Sequence, residues 1–120
     1  MKLKEIKETL NAKVLVGEEY LDKEVNSAFG CDLMSDVLAF VSDGTVLLTG
    51  LTNLQVIRTA EMLDLFAIIF VRGKTPIQEI LDMANEKNIT IMTTEYTLYT
   101  ASGKLYGKGL GGINIEGEMR

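Results

Sequence analysis

The second half of the chain alternates short apolar runs with longer amphipathic segments. The apolar runs lie at 46–48, 66–71 and 89–92, and helical spacing follows the first two, with predicted helices that end at Asp64 and Lys87. Strands that alternate with helices of this length are typical of parallel pairing. Because the runs are continuously apolar rather than alternating, we expect both faces of these strands to be buried.

The first half of the chain is less regular. Leu3, Ile6 and Leu10 recur at helical spacing and predict a short amphipathic helix that ends near Asn11. Extended segments are predicted at 14–16 and 25–30, and Asp32 is predicted to start a helix that stops at the 42–44 turn.

Together these elements predict the fold class and the domain boundaries. We expect an α/β domain with three α/β/α layers around a largely parallel sheet of about five strands, with mixed pairing left open. The single domain is predicted at 1–106, and a glycine-rich tail, either mobile or a late hairpin arm, at 107–120.

One segment of the chain recurs. Residues 50–57, Gly-Leu-Thr-Asn-Leu-Gln-Val-Ile, return 23 positions later as 73–80, Gly-Lys-Thr-Pro-Ile-Gln-Glu-Ile. In each copy a Thr-x-x-Gln pattern predicts a capping box at the start of a helix, at Thr52 and at Thr75, and Pro76 suits the first helical position. A third helix is predicted from about Glu95, with Thr94 as the residue that precedes it. The repeat therefore predicts one strand-turn-helix unit used twice.

Composition and charge limit the kinds of partner. The 120 residues carry a formal net charge of −5, without the clustered Lys and Arg that duplex nucleic acid requires, so no nucleic-acid partner is predicted. No apolar run approaches the roughly 18 residues of a membrane span, and the charged start lacks the apolar stretch of a signal peptide. We therefore expect a cytoplasmic protein without a membrane partner.

Missing residue types limit the chemistry. The chain has no histidine and a single cysteine, Cys31, so Ser-His-Asp and Cys-His nucleophile systems are impossible within it. No metal site and no cofactor are predicted. Cys31 is interpreted as a small buried hydrophobic residue, and Asp32 and Asp36 as a helix cap and a first-turn anion.

Polar residues follow each of the three regular strands, and in a parallel sheet these turns share one edge. Glycine turns and helix starts at such an edge suit phosphate or carboxylate groups. Alternatively the threonines only cap helices, the glycines only turn the chain, and the cations are solvated. The predicted ligand-binding residues are Thr49, Gly50, Thr52, Asn53, Arg72, Gly73 and Thr94.

Three segments resemble a known family. Residues 31–38, 47–60 and 70–76 are similar to the DRTGG domain family, which is similar to the amino-terminal domain of HPr kinase/phosphorylase and to a segment of some phosphotransacetylases. The family also occurs fused to CBS domains. The eponymous Asp-Arg-Thr-Gly-Gly string is absent here, where Leu51 follows Thr49 and Gly50. The resemblance implies a compact α/β module, often dimeric, with a regulatory or ligand-sensing role and no catalytic residues of its own.

The sequence leaves three functional hypotheses. The first is a non-catalytic regulatory domain, a homodimer, that binds a nucleotide or a phosphorylated metabolite at the carboxyl edge of the sheet. The second is a protein-interaction module that docks on a partner enzyme through the amino-terminal helix or the tail, where Ile113 and Ile115 are apolar. The third is an enzyme that uses carboxylates or Cys31.

Overall fold

A five-stranded sheet forms the centre of the protein in a computed structural model that describes residues 1–114. The strands are β1 (Lys13–Val16), β2 (Ser27–Gly30), β3 (Thr45–Thr49), β4 (Ala67–Phe70) and β5 (Thr90–Thr93). The helices are α1 (Leu3–Thr9), α2 (Met34–Phe40), α3 (Leu54–Met62), α4 (Gln78–Glu86) and α5 (Leu98–Gly107), and a 3₁₀ turn spans Glu18–Tyr20.

The sheet is mostly parallel. Its strand order is β1-β5-β4-β3-β2, and β2 to β5 pair in parallel. Among the strands of residues 1–114, only β1 runs antiparallel, beside β5, with a register shift between Val14 and Val16. The predicted largely parallel sheet of about five strands is therefore confirmed, and its pairing, which the sequence left open, is mixed.

Helices cover both faces of the sheet. On one face α1 and α5 pack against Val46, Leu48 and Ile69, and on the other α2, α3 and α4 pack against Leu47 and Ile68. Consecutive residues of β3 thus enter opposite cores, which explains why the strand is apolar at every position from 46 to 48. The predicted three-layer α/β/α arrangement is confirmed.

Two buried threonines form hydrogen bonds between distant parts of the chain. Thr90 Oγ1 donates to the carbonyl of Gly17 at 2.9 Å, and Thr94 Oγ1 donates to the carbonyl of Leu10 at 2.7 Å. Because a buried hydroxyl without a partner is costly, these bonds fix the two ends of β5 to the chain before and after β1.

Three predicted helix starts lie one to three residues too early in the chain. The helices α3, α4 and α5 begin at Leu54, Gln78 and Leu98, and the residues before them are Asn53, Ile77 and Thr97. The capping boxes predicted at Thr52 and Thr75 are therefore absent, and Pro76 precedes α4 instead of opening it. Of these three helices, only α5 has a side-chain cap within residues 1–114, from Thr97 Oγ1 to the amide of Thr100.

The repeated segments do not occupy equivalent positions. Thr49 pairs with Phe70 across β3 and β4, an offset of 21 residues, whereas the sequence repeat has an offset of 23. Gly50 follows β3 directly, but Val71 and Arg72 separate β4 from Gly73. The two units share their order of elements, while their turns differ in length.

The chain after α5 returns to the sheet. Leu110 is buried, the carbonyl of Gly111 accepts a hydrogen bond from the amide of Ala28 on β2, and Ile113 is half-buried. The first part of the predicted tail therefore lies along the free edge of β2. Ile115 lies outside the described residues.

Candidate functional site

The carboxyl ends of four parallel strands meet at one edge of the sheet. Asp32 follows β2, Gly50 follows β3, Arg72 follows β4, and Glu95 follows β5. The order β5-β4-β3-β2 places the turns of β3 and β4 side by side in the middle of this edge. This edge carries the polar groups that the sequence assigns to a site, and we call it the carboxyl edge.

Asp32 is bonded to the turn after β3. One carboxylate oxygen, Oδ1, accepts from the Thr49 hydroxyl at 2.8 Å and from the Gly50 amide at 2.8 Å. The Gly50 amide, and after it the Thr49 hydroxyl, hold the pKa of the Asp32 carboxyl below its ordinary value, with a smaller contribution from the Arg72 charge. Partial desolvation opposes this lowering, and Asp32 remains ionised at neutral pH.

Arg72 lies over the same glycine. A Cβ atom on Gly50 would stand 2.5 Å from Nη2 of Arg72, so the guanidinium occupies the space that any side chain at position 50 would need. Glycine at this position allows the guanidinium to approach the backbone closely. Asp32, Gly50 and Arg72 therefore form one cluster that joins the ends of β2, β3 and β4.

The turn after β4 has a left-handed backbone. Arg72 has φ 59° and Gly73 has φ 66°, and their amides donate to the carbonyls of Tyr96 and Thr94, each at 2.8 Å. A non-glycine residue at positive φ is strained by about 1–3 kcal/mol and is retained where the surroundings hold it in place. The two hydrogen bonds from these amides to the chain after β5 supply that support. They also fix the backbone position of Arg72.

Charges of both signs surround this turn. Arg72 and Lys74 are exposed cations, while Glu95 Oε2 lies where a Cβ atom on Gly73 would come within 2.6 Å of it. With Asp32 included, the carboxyl edge holds two cations and two carboxylates. These four charges balance, in a chain whose net charge is −5.

The structure brings some of the predicted site residues together and turns others inward. Gly50 and Arg72 are in contact, Gly73 is next to Arg72, and Thr52 and Asn53 lie just before α3. Thr49 and Thr94 are almost fully buried, and their hydroxyls donate to Asp32 and to Leu10. Thr49 lies within the cluster, whereas the Thr94 hydroxyl is bonded to the end of α1 and the Thr94 carbonyl accepts from the Gly73 amide.

Asp32 is the residue that sequence reasoning missed. Its interpretation as a helix cap is wrong, because α2 begins at Met34 and the capping position is Leu33. The signal for its role was its place two residues after an extended segment, where it belongs to the same sheet edge as Gly50. Cys31 is half-buried rather than buried, and its Sγ accepts from the amide of Leu33 at 3.3 Å.

Within residues 1–114, no three Cys, Asp or Glu side chains lie close enough together to hold a metal ion. No helix in the same range is long and apolar enough to cross a bilayer.

A five-stranded α/β/α domain with a polar, glycine-lined carboxyl edge is the class of protein that this geometry defines. The DRTGG domain model matches residues 5–106, and the chain belongs to this family. The resemblance that the sequence motifs indicated is confirmed. A comparison with curated proteins returned no match.

A solved structure supports the same assignment. The chain is similar to the CBS and DRTGG domains of the regulatory region of Clostridium perfringens pyrophosphatase, determined as a complex with its activator, diadenosine tetraphosphate. The TM-score is 0.69 and the sequence identity 26%, over 87% of this chain and 45% of that one. This chain therefore spans less than half the length of that regulatory region.

Proposed function

We propose that this chain is a non-catalytic regulatory domain that binds a nucleotide or another small phosphorylated metabolite at the carboxyl edge. The observation that carries the proposal is the guanidinium of Arg72, which lies against the Gly50 backbone at the ends of two adjacent parallel strands. Guanidinium groups bind phosphate with two parallel hydrogen bonds, and the carboxyl ends of parallel strands are common ligand sites in α/β proteins.

The groups beside Arg72 suit a phosphorylated ligand. Lys74 adds a second exposed cation on the same turn, and Thr52 and Asn53 add polar side chains. The first amides of α3 point towards this edge, and α3 has no side-chain cap among the described residues. Uncapped helix amides favour negative charge, and α3 therefore supports the binding of an anion beside Arg72.

Apolar side chains at the same edge favour a nucleotide over a bare phosphate. Leu33 before α2 is 57% exposed and Ile77 before α4 is 65% exposed. Large exposed apolar side chains next to polar groups are typical of ligand sites, where they contact the uncharged part of the ligand. A purine base is such a part.

The comparison supports a regulatory role. The similar region of the pyrophosphatase is a regulatory region that was solved with a nucleotide activator. By analogy we propose that a nucleotide controls the activity of a partner enzyme through this domain, and that the chain itself catalyses no reaction.

Thermal unfolding with a panel of ligands tests this function. The panel contains diadenosine tetraphosphate, ATP, AMP, acetyl phosphate and inorganic phosphate. A ligand present at a hundred times its Kd stabilises the native state by about 2.7 kcal/mol, which is a shift on the order of ten degrees for a domain of this size.

Two substitutions with the same change of charge make the assay specific. Arg72→Ala is expected to abolish the shift, whereas Arg58→Ala, in the middle of α3, is expected to keep it. A panel without any shift, or equal shifts in both variants, would contradict the proposed site.

A second candidate function rests on α5. Tyr99 is 89% exposed and Tyr106 is 72% exposed, on a helix with Gly103 and Gly107. Exposed aromatic residues are enriched in protein interfaces, so this helix favours an interaction module, either a homodimer or a complex with a partner enzyme.

The oligomeric state tests this second candidate. Light scattering should give the mass of a dimer, and Tyr99→Ser combined with Tyr106→Ser should reduce it to that of the monomer. Met62→Ser is the control, because Met62 is 71% exposed on another helix. A monomeric wild-type protein would exclude the homodimer.

A further inference from the structure

An anion of the chain itself already occupies the carboxyl edge. Oδ1 of Asp32 accepts from a backbone amide and a hydroxyl, Gly50 N and Thr49 Oγ1, each at 2.8 Å. The guanidinium of Arg72 lies against the same glycine. Backbone amides, hydroxyls and neighbouring guanidinium groups are the donors that bind phosphoryl oxygens in proteins.

The donors are fixed, while the acceptor can leave. Thr49 is fully buried at the end of β3, and the Gly50 amide belongs to the backbone of the next residue. Asp32, in contrast, is an exposed residue in the three-residue connection 31–33 between β2 and α2. Its carboxylate can turn into solvent, and it then leaves both donors free.

We propose that Asp32 is an internal competitor for the anion site, and that a phosphoryl group of the ligand binds by displacing its carboxylate from Gly50 and Thr49. This inference rests on the proposed function and names how the site is regulated. The ligand must outcompete an anion that is tethered to the site. A single phosphate with few other contacts therefore binds weakly, whereas a nucleotide gains the additional contacts at the edge.

The probe for this competition is inorganic phosphate, followed by ¹H–¹⁵N NMR at the Gly50 amide and at Arg72 Nε. Asp32→Ala removes the competitor and is expected to tighten phosphate binding by roughly tenfold or more, as the loss of an adjacent like charge implies. Asp43→Ala is the matched control with the same change of net charge, in the turn before β3 at the opposite edge of the sheet. It is expected to leave the phosphate affinity unchanged.

Asp32→Asn provides a second variant that preserves the shape of the side chain. Its Oδ1 still accepts from Gly50, so we expect a smaller gain in phosphate affinity than for Asp32→Ala. Circular dichroism confirms that each variant is folded before titration.

The outcomes separate this inference from the proposed function. Nucleotide binding at Gly50 and Arg72 in the wild-type protein, with phosphate affinity unchanged or lower in both Asp32 variants, would overturn the competitor role alone. If neither the wild-type protein nor either variant bound any anion at these residues, both proposals would fail. Tighter phosphate binding in Asp32→Ala but not in Asp43→Ala is the result that supports the inference.

Discussion

Replacing Asp32 by asparagine should lower the free energy of unfolding at neutral pH by about 1 kcal/mol. The carboxylate accepts two hydrogen bonds, from Thr49 and Gly50. A hydrogen bond to a charged group contributes about 1.5–3 kcal/mol and a neutral one about 0.5–1.5 kcal/mol, a difference of about 1 kcal/mol per bond. Because Asp32 is exposed, solvent screening reduces the sum for two bonds to about half.

The pH dependence of this difference follows from the lowered pKa of Asp32. A carboxyl group whose pKa is lower in the folded state contributes stability above its unfolded pKa, about 3.9, and loses it as the pH falls through the folded pKa. The folded value lies below the unfolded one. The difference between wild-type protein and Asp32→Asn should therefore be constant from about pH 5 to pH 7 and shrink below about pH 4.

Urea denaturation, followed by circular dichroism at several pH values, measures this difference. Asp43→Asn, in the exposed turn before β3, is the control and should change the stability by less than about 0.5 kcal/mol. A double-mutant cycle with Thr49→Val measures the coupling to the hydroxyl directly. The reasoning is refuted if Asp32→Asn is as stable as wild type at pH 7, or if its deficit is unchanged at acid pH.

Glycine substitutions give three further predictions. Gly17→Ala should destabilise the fold by about 2 kcal/mol or more, because φ is +84° and the new Cβ would stand 2.7 Å from the Cα of Thr90. Urea denaturation measures this loss, and unchanged stability would contradict the packing. Gly103→Ala should raise the melting temperature, since helical glycine costs about 0.5–1 kcal/mol relative to alanine and nothing lies within 4 Å of the new methyl group; a fall would show a hidden contact. Gly50→Ala should displace Arg72 and weaken ligand binding severalfold in titration with little effect on stability, and unimpaired binding would argue against the guanidinium.

The layers and the strands of this fold could be predicted from the sequence. A strand buried on both faces must be apolar at consecutive positions, and Val46, Leu47 and Leu48 meet that requirement by entering the two cores in turn. The apolar spacing of Leu3, Ile6 and Leu10 indicates α1 for the same reason, since all three are buried on one side of the helix.

The exact starts of the later helices could not be predicted from local patterns. Thr94 was expected ahead of a helix start, but its hydroxyl donates to the carbonyl of Leu10, 84 residues away in sequence. A tertiary hydrogen bond of this kind uses the hydroxyl that the local sequence pattern assigns to a helix cap. At the β4 turn, the left-handed Arg72 and Gly73 lengthen the connection and move the start of α4 to Gln78.

The candidate site was predictable in part. The sequence places Gly50 and Arg72 on one edge because parallel strands β3 and β4 end there, and the structure brings them into contact. The role of Asp32 depends on β2 pairing with β3 and on α2 beginning only at Met34. Neither fact is encoded in the residues around Asp32, which match a helix cap equally well.

An NMR titration of the ¹⁵N-labelled protein with diadenosine tetraphosphate tests the central claim most directly. If this chain is a regulatory domain with its ligand site at the carboxyl edge, saturable shifts are expected at the amides of Gly50, Asn53 and Gly73 and at Arg72 Nε. Saturable shifts confined to α5 or to the opposite edge of the sheet, with none at these groups, would contradict the account.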